Sequence, residues 1–348
     1  SDNNDSESFL LRVESALGEH HSLTWGLERV EEKIGAVRKR IDVLTGDQIE
    51  RGRDPTRGGQ RRERQTVWVE DRIDLHPDVD LAVGLRWARA EAEGTQETPA
   101  GVFPLEMSED GVSGYVGLGW SVTDTVELLA SYDRGFRLPG IDEVTSFTDD
   151  PTLESLPSAT LEATTVDGLQ VGMRYASDRF RIGAFVFRHE LDGLPILAPA
   201  EIDGLGFVDL DGDGLQDAGE PSWVRSASIG ASEIDGFEFD LGIALPWHLD
   251  LFGDYRSSEG DDLRTMAPLA GQPADFGRVG LRWNGSGKWA PWAEAIFRWT
   301  DDVSRPSDAD LAHPDFHPAW LEASDVFEIR LGVTVPPRLR FLLVLENP

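Results

Sequence analysis

The sequence predicts an all-β chain, a transmembrane antiparallel β-barrel of which about 14 strands are present. Three observations predict it. Apolar residues recur at every second position in many separate stretches, the mark of strands with two different faces. Short and long connections alternate along the whole chain. No stretch reaches the ~20 apolar residues that a helical span needs, a test that does not see barrels.

The strands are expected at about 7–16, 21–35, 64–75, 79–92, 111–120, 125–136, 161–175, 179–191, 223–244, 247–257, 274–284, 288–300, 325–335 and 338–346. Val79, Leu81, Val83, Leu85 and Trp87 alternate with Asp80, Ala82, Gly84 and Arg86. Phe237, Phe239, Leu241, Ile243 and Leu245 alternate with Glu238, Asp240, Gly242 and Ala244. Trp247, Leu249, Leu251 and Tyr255 alternate with His248, Asp250 and Asp254. Val279, Leu281 and Trp283 follow the same rule, as do Phe327, Ile329, Leu331, Val333 and Val335.

The short turns fall near Gly18-Glu19-His20, His76-Pro77-Asp78, Val122-Thr123-Asp124, Ser177-Asp178, Pro246, Asn284-Gly285-Ser286-Gly287 and Pro336-Pro337. The long loops are expected at about 36–63, 93–110, 137–160, 192–222, 258–273 and 301–324. Outer-membrane barrels have tight periplasmic turns and long extracellular loops, whereas a β-sandwich has no reason to sort its loops in this way. Trp25, Trp87, Trp120, Trp247, Trp283, Trp289 and Trp299 fall near strand ends, where an aromatic girdle meets lipid headgroups.

With the short turns in the periplasm, the first strand descends and the last one rises. Both ends would then lie outside the cell, so a larger barrel is expected, with strands missing before and after. An open sheet would expose unpaired N–H and C=O groups to hydrocarbon, which makes closure necessary.

Composition sets the remaining bounds. The formal net charge is -32, which excludes nucleic acid as a partner because phosphate binding needs clustered Lys and Arg. There is no cysteine, so neither disulfides nor thiolate metal sites arise. The opening residues Ser-Asp-Asn-Asn-Asp are polar and acidic, unlike an export signal.

One segment carries a family resemblance. Ser131-Tyr132-Asp133-Arg134-Gly135-Phe136-Arg137-Leu138-Pro139-Gly140-Ile141-Asp142-Glu143-Val144 resembles a segment of TonB-dependent receptors, in which a rising strand ends in Tyr-x-x-Gly-Phe-Arg-x-Pro before a short acidic turn. Asp150-Pro151-Thr152-Leu153 is similar to the family's Asn-Pro-x-Leu lead-in, with Asp for Asn and a longer spacer to the returning strand Gly168-Leu169-Gln170-Val171-Gly172. His21-Ser22-Leu23-Thr24-Trp25-Gly26-Leu27-Glu28, Ile234-Asp235-Gly236-Phe237-Glu238 and Val344-Leu345-Glu346-Asn347 also match, in the family's order. The resemblance implies 22 strands and an N-terminal plug, of which this chain would hold strands 8 to 21. It implies active uptake of a scarce ligand, such as a ferric siderophore, cobalamin or another metal chelate. The energy would come from the TonB complex acting through the plug, which is absent from these residues.

The sharpest local motif is Asp209-Leu210-Asp211-Gly212-Asp213-Gly214-Leu215-Gln216-Asp217-Ala218-Gly219-Glu220, which fits the twelve-residue calcium loop D-x-D-x-D-G-x-x-D-x-x-E. Ca²⁺ would be held by Asp209, Asp211, Asp213, the Leu215 carbonyl, Asp217 and Glu220, as a structural ion in a loop without flanking helices. His313 and His317 have a helical ligand spacing, but Pro314 and Pro318 oppose a helix. The loop at 36–63 and its margin concentrate base in Arg38, Lys39, Arg40, Arg51, Arg53, Arg57, Arg61, Arg62 and Arg64. Of these, Arg51, Arg53, Arg57, Arg61 and Arg62 are the candidate ligand-binding residues, suited to an anionic metal chelate or to lipopolysaccharide phosphates. No nucleophile elbow, phosphate loop, dinucleotide fingerprint or zinc signature is present, so no enzyme is expected. Two other readings stay open: a passive channel of fourteen strands, and a calcium-stiffened cell-surface β-protein.

Overall fold

The computed structural model describes residues 2–36, 39–41, 48–50, 60–98, 101–146, 152–158, 161–228, 230–312, 322–335 and 339–347. Fourteen strands follow one another through the main sheet, and the two-residue strand Ala267–Pro268 pairs with one of them off this path. The fourteen are β1 (Asp2–Leu17), β2 (His21–Ala36), β3 (Gln60–His76), β4 (Val79–Thr98), β5 (Gly101–Thr123), β6 (Val126–Arg137) and β7 (Thr164–Ala176). The sheet continues with β8 (Phe180–Asp192), β9 (Ser232–Leu245), β10 (Leu249–Asp262), β11 (Phe276–Asn284), β12 (Trp292–Thr300), β13 (Ser324–Val335) and β14 (Leu339–Asn347). Each strand pairs with the next in the sequence, always antiparallel, from β1 to β14. All fourteen expected strands are therefore present, and their order is that of an up-and-down meander.

The register places the expected apolar rows on one continuous face. Trp25 pairs with Val69 and Val69 with Leu85. Further along, Val171 pairs with Val186 and Val186 with Phe237. At the far end, Val279 pairs with Phe297, Phe297 with Phe327, and Ile329 with Leu345. Large apolar side chains on this face are solvent-accessible, as a lipid-facing surface requires.

The inner face carries the charge. Ion pairs join Arg256 to Glu238 and Arg278 to Asp254. Arg298 lies 2.6 Å from Glu328, Arg330 pairs with Glu328 and reaches Glu294 at 3.4 Å, and Arg282 lies 3.8 Å from Glu294. Asn284 donates to Asp250 at 2.8 Å, and the Arg282 guanidinium lies 4.8 Å above the Trp292 ring. Glycines make room for inner-face rings from the neighbouring strand. Added methyls at Gly172 and Gly332 would collide with Phe185 and Trp292. This strand-to-strand fit covers the backbone that glycine leaves bare.

Three expectations need correction. The loop expected at 93–110 is paired strand, because β4 and β5 stay in register out to Thr98 and Gly101. On this arm the outward positions Glu91, Glu93 and Glu106 are polar and exposed, while Ala92, Gln96 and Leu105 on the other face are buried. The sequence therefore loses the lipid-facing apolar alternation while the backbone pairing continues. The strand expected at 223–244 is two elements in two sheets, Ser222–Ser228 and Ser232–Leu245. The odd positions Trp223, Arg225 and Ala227 share parity with Phe237, which hides a break at Gly230. Finally, the loop expected at 36–63 yields its ends to β2 and β3 and holds a small ribbon, Lys39–Ile41 paired with Gln48–Glu50.

A separate three-stranded sheet stands at the long-loop end. Pro195–Pro199 pairs antiparallel with Ser222–Ser228, which pairs in parallel with Leu153–Leu156. Leu156, Val208 and Trp223 form its core, with Ala200 and Ile202 against it. We call this element the cap.

Candidate functional site

The turn after β6, within the family-like segment, is the junction of the loop end. Pro139 and Gly140 stop the strand, and the single helical turn Ile141–Val144 brings Glu143 back over Arg137. The guanidinium grips the carboxylate with both nitrogens, at 2.8 and 2.7 Å, and the Gly140 N–H donates to it at 2.7 Å. Burial acts to raise the Glu143 pKa. The Arg137 hydrogen bond, the Gly140 N–H and the guanidinium charge together outweigh it and hold the carboxyl below its usual range.

The next two residues, Thr145 and Ser146, are fully buried. Gln96, on the β4–β5 arm, donates to the Thr145 carbonyl at 3.0 Å and reaches the Ser155 carbonyl at 3.5 Å. The Ser226 N–H donates to the Ser146 hydroxyl at 2.7 Å, and the Ser158 hydroxyl donates to the Ser226 carbonyl at 2.7 Å. Three loop segments far apart in sequence are thus locked into one body. Sequence reasoning missed Gln96, Thr145, Ser146 and Ser226, because each bond joins a polar residue to backbone 49 to 80 positions away.

The acidic loop sits on this body. Asp209, Asp211 and Asp213 each offer a carboxylate oxygen, all within 4.8 Å of one another. Asp209 accepts from the N–H groups of Gly212 and Gly214 at 2.6 and 3.0 Å. Gly212, Gly214 and Gly219 adopt positive φ, which only glycine does without strain. Asp217 and Glu220 stand outside the three-carboxylate group. Glu220 instead accepts from the Leu210 N–H at 2.7 Å and the Asp217 N–H at 2.9 Å, and the exposed Leu215 lies between. The oxygen set suits a hard divalent cation at its Asp209–Asp213 end.

The basic loop divides. Arg51, Arg53 and Arg57 lie outside the described residues, as do His313 and His317. Strand alternation sends Arg61 and Arg62 to opposite faces. Arg61 faces outward and pairs with Glu31 at 3.0 Å, with Glu93 at 3.7 Å and with Glu63 at 3.8 Å. Arg62 shares the inner face with Arg64, which lies 3.5 Å from Glu28. Below them on the inner wall is an open groove of about 500 Å³ lined by Glu28, Thr66, Trp68, Glu70, Arg86 and Tyr115. A second hollow of about 220 Å³ lies among the loops after β10 and β12, where Arg305 bridges Glu259 at 3.4 Å and Asp261 at 2.5 Å.

Residues 2–347 match the family described as TonB dependent receptor-like, beta-barrel. Similar solved structures include the copper transporter OprC, at 15% identity and a TM-score of 0.77, with 99% of this chain and 50% of that chain covered. The ferric enterobactin receptor PfeA from Pseudomonas aeruginosa, solved with enterobactin, gives 16% identity and a TM-score of 0.72, covering 99% and 49%. The alcaligin outer-membrane receptor FauA from Bordetella pertussis gives 15% and 0.62, covering 99% and 51%. The chain spans about half the length of these structures. No curated protein matches it. The register, the alternating turns and loops and the family match converge: this chain belongs to the TonB-dependent receptor-like β-barrel family of the outer membrane.

Proposed function

We propose that the chain is the barrel portion of an active importer for a scarce ligand, in the class of ferric siderophores, cobalamin or other metal chelates, and that it has no enzymatic role. One observation carries this reading: Thr145 and Ser146, which directly follow the family-like segment at 131–144 and its Arg137–Glu143 turn, tie the β4–β5 arm and the cap together. Ligand capture needs loops held in fixed relation to the lumen, and this junction supplies that relation. Transport would then run through a plug coupled to TonB.

The test is uptake by cells that lack their other receptors, with a panel of radiolabelled ferric siderophores, cobalamin and Cu(II). We expect one probe to accumulate only with this protein, and accumulation to stop when the proton gradient is collapsed. Steady ion conductance of the purified protein in a planar bilayer, without gradient-dependent uptake, would instead establish a passive channel.

We further propose that the loop 209–220 holds Ca²⁺ as a structural ion. Asp209, Asp211 and Asp213 would provide the converged end, with the Leu215 carbonyl, Asp217 and Glu220 completing the set. Titration with Ca²⁺ alone should slow proteolysis within 201–221, and Asp211→Asn with Asp213→Asn should abolish that protection. Equal cleavage with and without the ion would remove the cation from the reading.

A further inference from the structure

The inner-wall groove of about 500 Å³ between β2 and β6 holds a free cation. Two carboxylates of its lining are already matched, since Arg64 lies 3.5 Å from Glu28 and Arg72 lies 3.4 Å from Glu70. Arg86 of β4, opposite Trp68 of β3, also lines the groove. It is exposed and pairs with no carboxylate among the described residues. The groove also holds a hydroxyl with nothing to bond. Thr66 is 3% exposed, and its Oγ1 has no hydrogen-bond partner among the described residues. A buried polar atom in this state costs free energy, which a ligand group recovers.

Two rings complete the surface. Methyls added at Gly26 and Gly84 would collide with Trp68 and Tyr115, so each ring lies over a glycine of the neighbouring strand. Tyr115 still keeps 38% of its surface accessible. Arg86 stands between the rings, opposite Trp68 and two residues from the glycine that Tyr115 covers. Glu70 lies beside the Tyr115 hydroxyl. Thr66 and Trp68 flank Val67, which meets Leu27 in the last outward apolar pair of these strands toward the loops. The groove is therefore at the loop-side margin of the membrane band, on the luminal side.

We propose that this groove binds an acidic sugar, a hydroxylated ring that carries a single carboxylate. Arg86 takes the carboxylate with its planar fork. The C–H face of the ring stacks on Trp68 and Tyr115, whose π-faces are the negative part of the aromatic quadrupole. The ring hydroxyls bond to Thr66, Glu28 and Glu70. The charge balance selects one carboxylate over several. Asp133, also in the lining, has no ion pair among the described residues, so a polyanion would meet repulsion there. The inference deepens the import reading and rests on its passing the ligand through the lumen.

The experiment uses the protein purified in detergent from the outer membrane. The probes are trisaccharides of galacturonate and of glucuronate, with their carboxyl-reduced neutral forms and citrate as controls. Affinity is read by titration calorimetry, and a heat-induced gel shift confirms that each variant is folded. At least one acidic trisaccharide should bind, its neutral form roughly tenfold or more weaker, as expected for the loss of one charged contact. Arg86→Gln should erase that difference, and Trp68→Ala should weaken the acidic and neutral forms alike. Failure of both acidic probes, citrate binding as tightly as they do, equal affinity for acidic and neutral forms, or an unchanged affinity in folded Arg86→Gln would overturn the proposal. Sugar binding without gradient-dependent uptake would keep the site and remove the importer, and uptake of another probe without sugar binding would do the reverse.

Discussion

The wall and the cap are both made of strands, yet different forces hold them. In the wall every strand from β1 to β14 pairs with its sequence neighbour, and the outer apolar row needs no protein partner because lipid covers it. The cap has no lipid. It buries a small core of Leu156, Val208 and Trp223, and it leans on single hydrogen bonds from Ser226 and Gln96 to the β6 turn. Its three strands come from two loops, and one of its two pairings is parallel. Local pairing spreads the wall's stability over many strand pairs, while the cap depends on a few side chains.

The sharpest way to break that contrast is Trp223→Ala. Trp223 is 4% exposed and supplies the largest side chain of the cap core. Removing it should cost the cap about 3–5 kcal/mol of its own stability, enough to melt a body this small. Hydrogen exchange should rise across 153–158, 195–208 and 222–228. Exchange in β10 to β13 should stay unchanged, since Trp223 belongs to the separate core of Leu156 and Val208. Faster exchange throughout the wall would mean that cap and wall unfold as one unit.

The same strand can test both faces of the wall. Val171 of β7 points to lipid between Ala130 and Val186, and its neighbour Gln170 points to the lumen. Val171→Arg should destabilise the barrel by about 2–4 kcal/mol if it lies near the bilayer midplane. Gln170→Arg should cost under about 1 kcal/mol, because a wet inner face accepts charge. Urea titrations in lipid vesicles measure both. Equal costs would show that the two faces do not meet different solvents.

That difference in solvent also decides what the sequence reveals. Where one face meets lipid, Val79 to Trp87 and Phe237 to Leu245 print the two-residue period plainly, so all fourteen wall strands are legible. Beyond the membrane the period fades. The β4–β5 arm reads as loop, and Ser222–Ser228 reads as the start of β9. The carboxylates at Asp209, Asp211 and Asp213 are legible because their spacing is local, and the structure brings them together. Glu220 has the right spacing but is held by the N–H groups of Leu210 and Asp217. The junction made by Gln96, Thr145, Ser146 and Ser226 leaves no trace in sequence, since each partner is a backbone group that only the fold brings near. The adjacent residues Arg61 and Arg62 read as one basic cluster until strand geometry sends them to opposite faces.

The smallest expected effect lies where wall and cap meet. Glu143 has a lowered folded pKa, so it stabilises the β6 turn when ionised and binds a proton less readily folded than unfolded. Its contribution is therefore fully present above the ordinary value of 4.5 and is lost only as the pH falls through the lowered folded value. Proteolysis within 138–146 by an acid-active protease should thus stay slow through neutral and mildly acidic pH and rise only below the usual carboxylate range. Glu143→Gln keeps the shape and removes the charge. It should give a modestly higher cleavage rate at neutral pH and flatten the acid dependence. A variant that retained the full acid response would assign it to another carboxylate, and the Arg137 grip would then be a consequence of the turn instead of its cause.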